Sequence, residues 1–230
     1  MTTYNFEPGS TEIVLAAGLR TPQMKAGGTF AEEDAGHLGS GLARELFARH
    51  GLDGSELDEV LIGCVGQPST QANVARVIAL RAGVPHRVPA RTLARNCASG
   101  MEAVTSAVTA IQAGQGSAYL CGGVEVMSSY PLIMGKALTK MFARLSRTRS
   151  MPAALAVASS FRPSHLKPRI ALLEGLNDPV AGMLMGETAE LLAREFGIQR
   201  EESDVYASRS HNRAQAARDA GVFEREVMPW

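Results

Sequence analysis

Aromatic residues are scarce in this chain: seven Phe, four Tyr and one Trp among 230 residues. That argues against a core of aromatic-rich strands packed as a sandwich. The 23 basic and 23 acidic residues cancel to a formal net charge of zero. No bulk field is left to hold nucleic acid, so no nucleic-acid partner is expected. Cysteine is limited to Cys64, Cys97 and Cys121, an odd number without a Cys-x-x-Cys spacing. This argues against a disulfide framework and a structural zinc site; no metal is expected. No uncharged apolar run reaches the roughly 18 residues that a membrane-spanning helix needs. Met1 to Ser10 lacks the cationic stretch and apolar run of a secretory signal, and the reducing cytoplasm is the expected compartment.

What the chain does hold is Ala, Gly and short apolar runs at regular intervals. Ile13 to Gly18 (IVLAAG) reads as a first strand ended by glycine. Leu38, Leu42, Leu46 and Phe47 recur at helical spacing and predict a helix over His37 to His50, stopped by Gly51. Val60 to Val65 reads as a second buried strand, and Ala72 to Ala82 as a helix before Pro85. Arg91 to Leu93 predicts a strand that runs into Asn96-Cys97-Ala98-Ser99-Gly100. A small-residue helix follows over Met101 to Gly114, then a strand over Ser117 to Gly123. Its Ala, Val and Thr content predicts burial on all sides, as between two sheets. The alternation implies an α/β layered fold with a partly parallel sheet.

The texture changes after Met127. Lys136, Lys140, Arg144, Arg147, Arg149, Arg162, Lys167 and Arg169 gather before Asp178, against Glu174 and Asp178 as acids. Leu132, Ile133, Met134, Leu138, Met141, Phe142 and Leu145 are interleaved with them. Such a run reads as a solvated loop, or as a docking surface for anionic lipid or a partner subunit. Val180 to Arg200 and Glu202 to Gly221 predict two amphipathic helices, and Phe223 to Met228 a further strand. The expected organisation is an α/β domain over 1–128, an inserted, mainly helical segment over 129–200, and a return to the first domain over 201–230.

Cys97 stands at a strand-to-helix junction. A helix N-terminus offers unsatisfied N–H groups and a partial positive charge. Both favour a thiolate, and the same N–H groups can hold the oxyanion of a thioester under attack. Ala98, Ser99 and Gly100 leave room for a carbonyl to approach, and the small-residue helix behind lets the nucleophile be buried and rigid. Cys64 and Cys121, each inside an apolar strand, read as small buried hydrophobes.

The run from Asn96 to Val104, followed by Cys121-Gly122-Gly123-Val124-Glu125-Val126-Met127-Ser128, resembles the thiolase family. Arg20-Thr21-Pro22 with Gly27-Gly28, the stretch Gln71 to Arg76, Met185 to Glu190 and Ser208 to His211 extend that resemblance along nearly the whole chain. It implies the first half of the thiolase fold plus the family's loop domain, and an acyl-CoA C-acyltransferase acting on 3-ketoacyl-CoA, in fatty-acid β-oxidation. Cys97 is then the catalytic acyl acceptor, while Met185 and Gly186 lie near the bound acyl-CoA. Coenzyme A is a co-substrate and no cofactor is permanently bound. A homo-oligomer is implied. The basic segment 130–178 resembles the extended loop of β-oxidation thiolase subunits, which docks a partner subunit or a membrane surface.

Ala94 departs from the Asn, Ser or Thr more common there, and Leu184 from the His of some short-chain members. The family's second half carries a Gly-His-Pro histidine, an Asn-Glu motif and a Cys-x-Gly cysteine. The one Gly-His here, Gly36-His37, is followed by Leu38, and Cys121-Gly122-Gly123 belongs to a strand. The resemblance therefore implies a partner of the site in a missing C-terminal half. A non-catalytic lipid carrier or scaffold, and a ketoacyl-synthase-like condensing enzyme, stand as alternatives.

Overall fold

The structure is a computed structural model that describes residues 12–230. Met1 to Ser10, read above for a secretory signal, lie outside the described residues. The chain forms two compact units. One runs through Ser129 and takes up again at His211–Trp230; the other is Tyr130–Ser210.

In the first unit, helix α1 (Ala35–His50) begins where Asp34 Oδ1 accepts the His37 N–H at 2.7 Å, and ends at Gly51 in the left-handed region, φ 61°. Strand β1 (Glu59–Gly63) leads to α2 (Val74–Arg81) and β2 (Ala90–Leu93). Helix α2 starts two residues later than its apolar spacing predicts because Asn73 caps it, accepting from the Arg76 N–H at 3.2 Å. Helix α3 (Ser99–Gln112) and β3 (Tyr119–Gly123) complete the unit's regular core. The three strands are parallel in the order β2-β1-β3, with Val60 opposite Ala90 and Leu61 opposite Cys121.

β1 is the centre of this sheet, and its alternation sorts the core. Val60, Ile62 and Cys64 pack with Leu38, Val74 and Ile78 of α1 and α2. Leu61 points to the other face, against Ala103 and Ala107 of α3. The expected α/β layering therefore holds, with helices on both faces of a parallel sheet. At the entry to the sheet, Asp58 Oδ2 accepts from the Ser117 and Ala118 N–H groups at 2.7 and 3.0 Å, which holds its carboxyl below the usual range.

Three expectations change. Helix α3 is not buried on all sides: Ser99, Ala103, Ala107 and Ala110 form one buried stripe, while Met101, Thr105 and Thr109 are exposed. Among the described residues a single sheet covers it. Among the described residues Ile13 to Gly18 joins no ladder; Val14 and Leu15 are exposed, and pairing starts only with the bridge Arg20–Val227. Phe223 to Met228 is not a strand. Val222–Arg225 forms a 3-10 turn entered through Gly221 at φ 69°, and Arg20 then ties the segment down. The Arg20 N–H donates to the Glu226 carbonyl at 2.8 Å, its guanidinium to the Glu226 carboxylate, and it lies over the Phe223 ring.

Trp230 packs edge-on against Phe30 and His37, and its ring fills the notch that Gly41 leaves on α1. A Cβ at Gly41 would lie 2.8 Å from the indole. Gly41→Ala should therefore displace the ring at a cost of about 1 kcal/mol. Trp230 is the sole tryptophan, so the change should read as a red shift in emission. An unchanged spectrum would refute this packing.

The second unit holds a two-residue antiparallel pair, β4 (Leu132–Ile133) with β5 (Arg169–Ile170). Its helices are α4 (Lys136–Leu145), α5 (Met151–Ala158), α6 (Ala171–Gly175), α7 (Met185–Phe196) and the start of α8 (Arg200–Asp219), within which the boundary at Ser210 falls. On α4, Lys136, Lys140 and Arg144 follow a four-residue spacing; Leu138 is buried and Phe142 exposed. Helix α7 starts at Met185 rather than Val180. Asp178 Oδ1 accepts from Val180 and Ala181, Gly182 takes φ 67°, and the resulting turn occupies the intervening residues. Among the described residues no helix is long and apolar enough to cross a membrane.

Candidate active site

The connections β1-α2-β2 and β2-α3-β3 leave adjacent strands for opposite faces of the sheet. In an open parallel sheet, such a reversal opens a crevice at the carboxyl ends of the strands involved. Cys97 stands there, four residues beyond the end of β2 and two before the first residue of α3. Asn96 turns the chain with φ 46°, the only non-glycine among the described residues in the left-handed region. The buried Ser99 locks the turn: its Oγ donates to the Asn96 carbonyl at 2.7 Å and accepts from the Arg95 N–H at 2.8 Å. Arg95 pairs with Glu102 at 2.7 Å, one turn into the helix.

No side chain caps α3. The N-terminal turn instead lies against the ends of β1 and β3, and glycines make that approach possible. A Cβ at Gly63 would fall 2.3 Å from the Ser99 carbonyl carbon and 2.6 Å from the Gly100 nitrogen. One at Gly123 would fall 3.1 Å from the Gly100 Cα. Next to these, the Glu125 carboxylate accepts from the Val65 and Gly66 N–H groups at 3.0 and 3.1 Å.

The three thiols differ. Cys97 is exposed, Cys121 half-buried and Cys64 buried. The exposure of Cys97 departs from the buried nucleophile expected: the carboxyl ends of the strands open to solvent in this chain. Burial, with the Glu125 charge, pushes the Cys64 thiol up to about 12. Burial, with Glu59, pushes Cys121 up to about 11. At pH 8 these values leave about one thiolate in ten thousand and one in a thousand, respectively. Raised values keep both thiols protonated until the pH approaches them. Native protein treated with iodoacetamide at pH 8 should be alkylated at Cys97 first, with Cys64 and Cys121 reacting only after denaturation. Equal rates at all three would refute the assignment.

Met185 and Gly186 form the first turn of α7 in the second unit. Met185 is exposed, and open space surrounds the position of a Cβ on Gly186. Glu187 holds this turn, accepting from the Leu184 N–H at 2.7 Å. A cavity of about 480 Å³ opens in the first unit between the Arg20–Ala26 loop and the Gly123–Ser128 segment, with Phe30, Leu38 and Leu42 on its wall. None of the three residues singled out from sequence lines it.

A family model described as "Thiolase, N-terminal domain" matches residues 13–230. The chain belongs to the thiolase family. A probable acetyl-CoA acyltransferase of Staphylococcus aureus (strain COL) is 35% identical over 220 residues, covering 95% of this chain and 51% of that protein. The mitochondrial trifunctional enzyme subunit beta of Bos taurus is 33% identical over 224 residues, covering 97% of this chain and 46% of that subunit. The crystal structure of the Bacillus anthracis acetyl-CoA acetyltransferase is similar with a TM-score of 0.79 and 34% identity, over 94% of this chain and 50% of that one. This thiolase chain thus spans about half the length of the relatives it matches. Glu125 stands in the Gly-Gly-Val-Glu run that carried the resemblance, yet the sequence gives it no role. A carboxylate two residues after the glycines of a strand end was the available signal.

Proposed function

We propose that this chain carries the acyl-accepting half of an acyl-CoA C-acyltransferase site, with Cys97 as nucleophile. The observation that supports this most is the exposed thiol at the carboxyl end of β2, just before an uncapped helix N-terminus. The Cys97 thiolate attacks the 3-keto carbonyl of a 3-ketoacyl-CoA. The oxyanion is held by N–H groups of the first turn of α3 beyond Ser99, whose own N–H donates to the Asn96 carbonyl at 3.1 Å. The bond between C2 and C3 then breaks; the acetyl-CoA carbanion takes a proton, and the acyl group stays on Cys97 as a thioester. Coenzyme A, as co-substrate, attacks that thioester and leaves an acyl-CoA shorter by the acetyl unit, with the cysteine regenerated. Base and acid for these proton transfers come from the second half that the relatives possess.

Met185 and Gly186 border the acyl-CoA in this reading. Fatty-acid β-oxidation is the process that the family resemblance implies, and the name of the Bos taurus relative, a subunit beta, favours a partner subunit. The basic, apolar segment 130–178, with Phe142 exposed beside Lys140 and Arg144, suits contact with that subunit or an anionic membrane surface. Three free thiols suit a reducing compartment such as the cytoplasm. A homo-oligomer of the two-half protein is the working assembly.

Intact-mass analysis after incubation with a 3-ketoacyl-CoA, alone and with a chain equivalent to the second half of the Staphylococcus aureus relative, tests the proposal. The acyl mass should appear on the Cys97 peptide when both are present. Its absence under both conditions would sink it.

A further inference from the structure

We propose that Glu125 is a positioning residue for acyl transfer at Cys97; the inference rests on the function proposed above. Its carboxylate ties the loop after β1 to the end of β3, so that the first turn of α3 is set before a substrate carbonyl arrives.

The regular ladder stops short of this region. The Cys64 N–H donates to the Leu93 carbonyl and the Val124 N–H to the Gly63 carbonyl, both at 3.0 Å. Beyond those bonds, Val65 and Gly66 donate to Glu125, whose two oxygens lie 3.0 and 3.1 Å from the two nitrogens. A charged acceptor on two successive amides makes stronger hydrogen bonds than a neutral one. At the end of β3, Gly123 faces Gly100 of α3, while Cys64 and Val124 pack with α1 and α2.

Gly63 lies against the Ser99–Gly100 peptide. Fixing the chain just beyond Gly63 therefore fixes the surface on which the α3 N-terminus rests. Ser99 carries that order to the Cys97 turn through its two hydrogen bonds. The carboxylate thus joins the chain just beyond β1 to the chain just beyond β3 at the crevice. Its two acceptor oxygens match the two donors they meet, which a glutamine side chain cannot do: one of its two atoms donates.

The test separates acyl transfer from thiol access. An acyl donor needs the oxyanion amides, whereas alkylation by iodoacetamide develops no oxyanion. Wild-type chain and Glu125→Gln, each mixed with the second-half chain, are compared for acetylation of Cys97 by acetyl-CoA, alkylation of Cys97, and amide exchange at Val65 and Gly66. Acetylation should slow by about tenfold to a hundredfold, as for an ångström-scale misplacement. Alkylation should stay within about twofold, since the helix N-terminus beside the thiol is retained. Exchange at both amides should accelerate. If acetylation keeps its rate while exchange accelerates, the clamp exists and does not position the site. If acetylation and alkylation fall together with the melting temperature, Glu125 serves the fold alone; either result overturns the proposal. Should Glu125→Gln not fold, Glu125→Asp, with its charge kept and reach shortened, carries the same comparison. Wild type that accepts no acetyl group on Cys97 refutes the parent reading, separately from any variant.

Discussion

Replacing Gly63 with alanine should lower the melting temperature of the chain by about 10 °C, corresponding to about 3 kcal/mol. A methyl group there would lie 2.3 Å from the Ser99 carbonyl carbon and 2.4 Å from its oxygen. Both are backbone atoms of the first residue of α3, so no side chain can rotate away. Either the end of β1 or the helix must move, and β1 is the buried central strand. The stripe Ala103–Ala107 then parts from Leu61. Gly186→Ala is the contrasting substitution. It lies inside α7 with open space at the Cβ position, and the lost glycine entropy should stabilise the helix by about 0.5 to 1 kcal/mol. Thermal unfolding of both variants checks the pair. A Gly63→Ala melting curve that overlays wild type would mean that the sheet and α3 do not approach as described.

The parts of the fold legible in the sequence are those whose signal is local. β1 and β3 follow from short apolar runs, β2 from the Arg91–Leu93 segment that leads into the Cys97 turn, and α1 from its spacing of leucines. The parts that were not legible depend on partners far along the chain. Ile13 to Gly18 is apolar enough for a strand, yet an apolar run shows a need for burial and does not name the neighbour that supplies it. Phe223 to Met228 has the composition of a strand, but Arg20 decides its conformation from 206 residues away through Glu226. The start of α7 was displaced by the turn at Asp178, a side-chain to backbone interaction that helical periodicity does not encode. The same division runs through the site. Cys97 was visible because its turn and helix are contiguous with it. Glu125 meets Val65 and Gly66 across about sixty residues, and no spacing announces such a pair.

Cys97→Ser should reduce thiolytic cleavage of a 3-ketoacyl-CoA, measured with the second-half chain present, by about a thousandfold or more in kcat, with KM changed much less. Serine fills nearly the same space at an exposed position, so binding and folding should survive. What is lost is the more nucleophilic sulfur, since a hydroxyl needs a much stronger base to attack at a comparable rate. The direction of the KM and kcat changes separates the candidate roles. A carrier that only binds acyl-CoA would show equal binding for both proteins and no acyl group on either. A nucleophile predicts an acyl-enzyme on wild type that is missing from the variant, together with the loss of exchange between free and bound coenzyme A. The Cys64→Ser variant supplies the internal control: its parent thiol is buried and held protonated by burial and the neighbouring Glu125 charge. It should retain acyl transfer, at a cost in stability for placing a hydroxyl in the core. If Cys64→Ser abolished the acyl-enzyme and Cys97→Ser did not, the assignment of the nucleophile to the turn before α3 would be wrong.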